Sequence, residues 1–176
     1  MEANAMDSLV RSEYDLFPNG LSGIFFNFGS QGKLILEKDY LTPSVSLFGQ
    51  IDQCFTAAHN PGFYSLGVMF KPTTLSKFLR VDLSEFTNKA IDGTLLRSDL
   101  YLLHTQLQDA NTIQDKVNLL NEYFSRVLLN LPLKKTITDH ALDLINTESK
   151  LSVEKLATHL NISQRYLEKT FKQSVG

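Results

Sequence analysis

Hydrophobic and polar positions change rhythm near Phe70. From Leu21 to about Phe70 the apolar residues come in short runs: GIFFNFG over 23–29, KLILEK over 33–38, SVSLFG over 44–49 and FYSLGVMF over 63–70. The turn formers PNG, GSQG, TPS and HNPG lie between them. Runs rich in Phe, Val, Ile and Tyr, bounded by Gly, Pro and Asn, read as strands. Short strands at this spacing predict a small antiparallel barrel or sandwich.

Beyond Phe70 the period becomes helical. Pro72 stands where a helix can begin, TTLSKFLR over 73–80 predicts a short one, and LSEFTNKA adds a turn or two. Leu96, Leu100, Leu103 and Leu107 recur at helical spacing, as do Ile113, Val117, Leu120, Phe124 and Val127. Thr112 with Asp115 three residues on has the form of a capping box. These two segments predict an antiparallel helical pair, packed on the barrel or on a partner subunit. LNLPLKK over 129–135 is the clearest boundary, because the residue before Pro132 is pushed away from helical geometry. A third amphipathic helix follows over 134–147, with Ile137, Ala141, Leu144 and Ile145 on one face. The expected organisation is therefore α+β, with a barrel-like domain and its helical pair over 1–130 and a second unit over 134–176.

The last segment predicts two more helices at a sharp turn. Ser152 is an N-cap for VEKLATHL, whose buried stripe is Val153, Leu156, Ala157 and Leu160. Ala157 allows a steep helix crossing, Asn161 tolerates the left-handed turn, and Ile162 plugs it from inside. Ser163 caps the second helix, whose Leu167 and Phe171 point back at the first. Gln164, Arg165, Glu168, Lys169 and Lys172 are left on the outer face. Arg165 and Lys169 have the donors for guanine O6 and N7, Gln164 suits adenine or a phosphate, and Glu168 accepts from cytosine N4. Lys172, further along, suits phosphate.

Composition narrows the class. At 176 residues and 43% hydrophobic content the chain holds one ordinary domain with at most a small appendage. One cysteine, Cys54, gives no internal disulfide and no metal-ligand cluster, which points to a reducing, cytoplasmic setting. The opening MEANAMDSLVRSEYD is not a secretory signal, and no apolar run is long enough for a membrane helix. Residues 1–130 carry ten Lys/Arg against fourteen Asp/Glu, whereas 131–176 carry seven against five. An acidic body with a mildly basic tail suits a sensor joined to a polyanion reader.

Catalytic chemistry finds little purchase. A cupin-like metal site needs several His and a carboxylate converging on the barrel, yet His59, His104, His140 and His159 lie far apart with no H-x-H pair. Cys54 reads as a small buried hydrophobe, with a spatially close His104 as the alternative. FGSQG over 28–32 is a hairpin turn rather than a phosphate loop. The twelve phenylalanines read as core, some lining a ligand cavity at the barrel mouth. No catalytic residue, metal or cofactor is expected.

The closing residues carry a family resemblance. Leu156–Ala157, Ser163, Tyr166–Leu167, Phe171–Lys172 and Gly176 fall in register with the first helix-turn-helix of AraC-type transcription regulators. ITDHALDLINTES resembles the helix before it, and Asn161 replaces the glycine common at the turn. Upstream, FPNGLSGIFFNFG, VSLFGQ and LGVMFKPTTLSKFLRVDLSEFTNKAID are similar to the sensor domain of one AraC-type subgroup. Met69 and Lys71 stand there for arginines, and Thr73–Thr74 for a glycine pair. The resemblance implies a cupin-like sensor for an unknown small-molecule effector, dimerisation through the helical pair, and DNA as partner. A complete reader has two helix-turn-helix units, so a chain stopping at Gly176 is expected to be the N-terminal part of a longer regulator. The competing class is a cupin-like binding protein or enzyme with a structural helical tail.

Overall fold

The computed structural model describes residues 12–35, 39–131, 134–148 and 150–176. The strands are β1 (Ser12–Leu16), β2 (Ser22–Phe28), β3 (Gly32–Ile35), β4 (Asp39–Leu41), β5 (Val45–Phe48), β6 (Phe55–His59), β7 (Tyr64–Phe70) and β8 (Ala90–Asp92). The helices are α1 (Thr74–Leu79), α2 (Asp99–Asp109), α3 (Ile113–Leu129), α4 (Ile137–Thr147), α5 (Val153–His159) and α6 (Gln164–Val175). The expected α+β class holds, but the strands form two antiparallel four-stranded sheets rather than a closed barrel. One sheet runs β1-β6-β3-β4 and the other β7-β2-β5-β8.

The alternation in β2 sets up three layers, because successive strand residues point to opposite faces. Ile24, Phe26 and Phe28 face away from the first sheet and join Val45, Leu47 and Phe70 in a core completed by α1, α2 and α3. Leu100, Leu103 and Leu107 of α2 are fully buried there with Phe124 of α3. The leucine stripe over 96–107 therefore packs on the second sheet and is not a free dimer surface. The α3 stripe leaves Ile113 and Val117 exposed, and α2 exposes Tyr101 and Leu102 off its buried stripe. The other β2 residues, Gly23, Phe25 and Asn27, look into the space between the sheets.

Local signals account for most helix starts. Thr112 and Asp115 form the expected capping box at α3, and Thr136 with Asp139 forms a second at α4. LSEFTNKA gives a single 3-10 turn at Leu83–Phe86 and then enters β8. Pro132 and residues 36–38 lie outside the described residues, while α3 ends at Leu129. Thr73, in place of the first glycine of the pair, sits at φ 69, a left-handed backbone that β-branched residues rarely adopt. Among the described residues, no helix is long and apolar enough to cross a membrane.

Candidate nucleic-acid interface and inter-sheet cavity

The three C-terminal helices share a small core of their own. Ala141, Leu156, Ala157 and Leu167 are buried together, with Leu144, Leu160, Ile162 and Phe171 packed around them. Two expected members fall outside it: Val153 is 47% and Ile145 39% exposed, because each lies at the edge of its helix's apolar stripe. Ser152 accepts the backbone N–H of Lys155, and Ser163 accepts that of Tyr166, so both helices carry the predicted caps. Asn161 turns the chain at φ 53, the left-handed conformation its short polar side chain tolerates.

With the apolar residues of α6 turned inward, Gln164, Arg165, Glu168, Lys169 and Lys172 are all exposed. They lie within one arc of the helix surface, as residues three and four apart do. Gln164 donates to Glu168 at 2.9 Å across one turn, which leaves Arg165, Lys169 and Lys172 as the cations of the stripe.

The stripe is not surrounded by solvent alone. The C-terminal half of α6 lies against α1 and the 3-10 turn at Leu83–Phe86, and a Cβ at Gly176 would sit 2.8 Å from the Gln50 side chain. Asp82 faces this half: hydrogen bonds from Ser84 hold its carboxyl below the usual carboxylate range, and Gln173 and the charge of Lys169 add to the effect. A second joint lies at Asp139. Its carboxylate accepts from the Thr73 hydroxyl at 2.5 Å and from Lys77 Nζ at 2.6 Å, while also closing the α4 capping box. Burial alone would raise the pKa of this carboxyl, but the bonds from Lys77, Thr73 and Thr136 hold it well below the usual carboxylate range. This contact gives Thr73 a partner in its left-handed position. Helices α4–α6 are thus docked against α1 and the Leu83–Phe86 turn through α4 and the end of α6.

Behind α1–α3, between the two sheets, lies a cavity of about 300 Å³. The second sheet contributes Gly23, Phe25 and Asn27 from β2, and Ser65, Gly67 and Met69 from the paired β7. The first sheet contributes Leu34, Ala57 and His59 among others. Missing side chains keep the space open: a Cβ at Gly67 would lie 2.6 Å from the Phe25 ring, and one at Gly32 2.8 Å from Thr42 Oγ1. Asn27 is held rigidly, donating to Pro43 O and Ser46 Oγ, each at 2.7 Å, and accepting from Ser65 Oγ at 2.8 Å. Thr42 Oγ1 is buried with no hydrogen-bond partner among the described residues. Phe17, Phe25, Phe48 and Phe63 line this space, as expected of some, while Phe26, Phe28, Phe70, Phe78, Phe86 and Phe124 belong to the helix-facing core.

Histidine and cysteine are dispersed. His104 stacks on Phe28 at 4.7 Å and contacts Asn27 O at 2.8 Å on the helical side of the sheet, and His159 contacts Lys155 O. Cys54 is exposed, against the expectation of a buried hydrophobe, because it belongs to the loop entering β6 rather than to the strand. Among the described residues, no three His, Cys, Asp or Glu gather as a metal-ligand set.

No curated protein matches the chain. Similar solved structures include ToxT from Vibrio cholerae with an unsaturated fatty acid bound, at 14% identity and TM-score 0.41, covering 93% of this chain and 73% of that one. A second ToxT structure from the same organism gives 10% identity and TM-score 0.40, covering 92% and 75%. The AraC-like transcriptional activator CuxR gives 13% identity and TM-score 0.35, covering 94% and 68%. A family model described as a domain of unknown function, DUF6597, matches residues 3–92, from the N-terminal segment to the end of β8. That match spans half of the sequence and all the strands that wall the cavity, so the chain belongs to the DUF6597 family.

Proposed function

We propose that this chain is the effector-sensing unit and first DNA-reading half-unit of an AraC-type transcription regulator. One observation carries the reading. The capped pair α5–α6 buries Leu156, Ala157 and Leu167 of the AraC-type register, packs Phe171 against them, and leaves Gln164, Arg165, Glu168, Lys169 and Lys172 exposed as one polar stripe. A recognition helix entering a major groove presents its N-terminal half to base edges. Arg165 and Lys169 would read guanine, Gln164 adenine or phosphate, and Glu168 cytosine, while Lys172 fixes register on the backbone. The inter-sheet cavity is the effector site in this reading. Two chains would meet through α3, where Ile113 and Val117 are uncovered.

The docked position of α6 supports control of reading by sensing. Asp82 lies beside Lys169 and Gln173, so the sensor body borders the surface that DNA would occupy. One half-unit makes few phosphate contacts, so specific binding in this reading draws on a second half-unit.

The test is a band shift with the full-length regulator and its own upstream DNA across a salt series. Specific binding with a steep salt dependence is expected, with Arg165→Ala/Lys169→Ala abolishing the shift while the melting curve is kept. A double variant that shifts DNA like the parent refutes the assignment of the stripe.

A further inference from the structure

The cavity's charge and polarity narrow what it takes. Among the described residues, no carboxylate lines it, and the Lys33 ammonium on its wall is paired with Asp39. His59 is packed against rings on two sides, with Tyr14 edge-on at 5.8 Å and Phe63 stacked at 5.1 Å. A charged ligand would leave water here without a fixed counter-charge, and an unpaired buried charge is heavily penalised. Polarity is instead graded along the cavity. Phe25, Phe48, Leu34 and Met69 make one end apolar. The other end holds Ser65, whose oxygen retains lone pairs while donating to Asn27, and the unpartnered Thr42 hydroxyl, which borders Gly32 together with the Phe63 ring. At about 300 Å³ the space equals roughly ten water volumes, the small end of ligand pockets.

We infer that the cavity takes an uncharged, flat, mainly apolar molecule of about fused-bicycle size, carrying one hydroxyl or amide-like group toward Ser65 and Thr42. Aromatic walls favour a planar ring system, which stacks or packs edge-on against Phe25 and Phe48. The polar group donates to Ser65 Oγ and, once the Phe63 ring shifts aside, meets the Thr42 hydroxyl. This inference rests on the reading of the cavity as the effector site, and names the chemical class that site accepts.

The experiment measures binding of three probes to the full-length protein by equilibrium dialysis: 2-naphthol, naphthalene-2-carboxylate and 2-naphthylmethylammonium. The expected result is that 2-naphthol binds at least tenfold more tightly than either ion. Ser65→Ala should weaken it about fivefold, one neutral hydrogen bond. Gly67→Val, which drives Phe25 into the space, should abolish binding. Met69→Trp fills the cavity from an exposed position and serves as the second blocking variant should Gly67→Val not fold. An ion that binds as tightly as 2-naphthol, and is blocked by Met69→Trp, overturns the uncharged class while leaving the cavity as the site. Unchanged affinity in Ser65→Ala overturns the placement of the polar group. Binding of no probe, or binding indifferent to both blocking variants, overturns the effector-site reading as well.

Discussion

Replacing Asp139 by Asn tests how firmly the C-terminal helices are held to the rest of the molecule. The substitution preserves shape and removes the charge that accepts from Thr73 at 2.5 Å, Lys77 at 2.6 Å and the Thr136 backbone N–H at 2.6 Å. Hydrogen bonds to charged groups contribute about 1.5–3 kcal/mol each. Asp139 is 15% and Lys77 26% exposed, so solvent brings their pair towards the ~1 kcal/mol of a surface bridge. Adding about 1 kcal/mol for the weakened capping box gives an expected loss of about 2–3 kcal/mol. Urea unfolding followed by circular dichroism reads it as a lower midpoint at constant slope. The pH dependence has a defined sign. The folded carboxyl binds its proton less readily than the unfolded one, so its contribution is present above the ordinary carboxylate range. It fades as pH falls through the depressed folded value. Asp139→Asn should therefore flatten the acid limb of stability and leave the neutral-to-alkaline limb parallel to the parent. A loss below about 0.5 kcal/mol, or strict additivity with Lys77→Met in a double-mutant cycle, would refute the joint.

Two further outcomes follow from packing and backbone geometry. Leu100→Ala removes a fully buried side chain between α2 and β5 and should cost about 2–5 kcal/mol, read as a lowered thermal midpoint. Asn161 sits at φ 53, so Asn161→Gly should be neutral within a few tenths of a kcal/mol, whereas Asn161→Val should cost about 1–2 kcal/mol. Equal melting curves for the two variants would show that the turn does not depend on that conformation.

Much of the architecture was legible because its periods were long. The stripes of α2 and α3 repeat over several turns, and the caps at Thr112, Ser152 and Ser163 sit at fixed offsets from the residues they serve. Strands β4 and β8 span three residues each, too short to show a period, and they hold their places by pairing with β3 and β5. Strand β6, FTAAH, alternates only weakly because two of its residues are alanine. Strand alternation also cannot say whether two sheets close, which is why barrel and sandwich both stood open where two sheets face each other. The cavity's signal lay in the odd positions of β2 and β7, where Gly23 and Gly67 flank Phe25. A glycine opposite an aromatic ring reads equally well as a simple packing compensation. The Thr73–Asp139 contact joins residues 66 apart in the chain, and no local pattern announces it.

The split faces of β2 and β7 bear on how this protein can change. Even-numbered positions 24, 26, 28, 66, 68 and 70 belong to the helix-backed core, while odd-numbered positions 23, 25, 27, 65, 67 and 69 border the cavity. Drift at the odd set alters what the cavity holds while leaving the packing of α1–α3 untouched. The shape of the cavity can therefore change in single steps on an intact helical core. A library confined to positions 25, 65 and 69 would vary the cavity wall while sparing the glycines that leave room for Phe25 and the hydrogen bonds that Asn27 donates to Pro43 and Ser46.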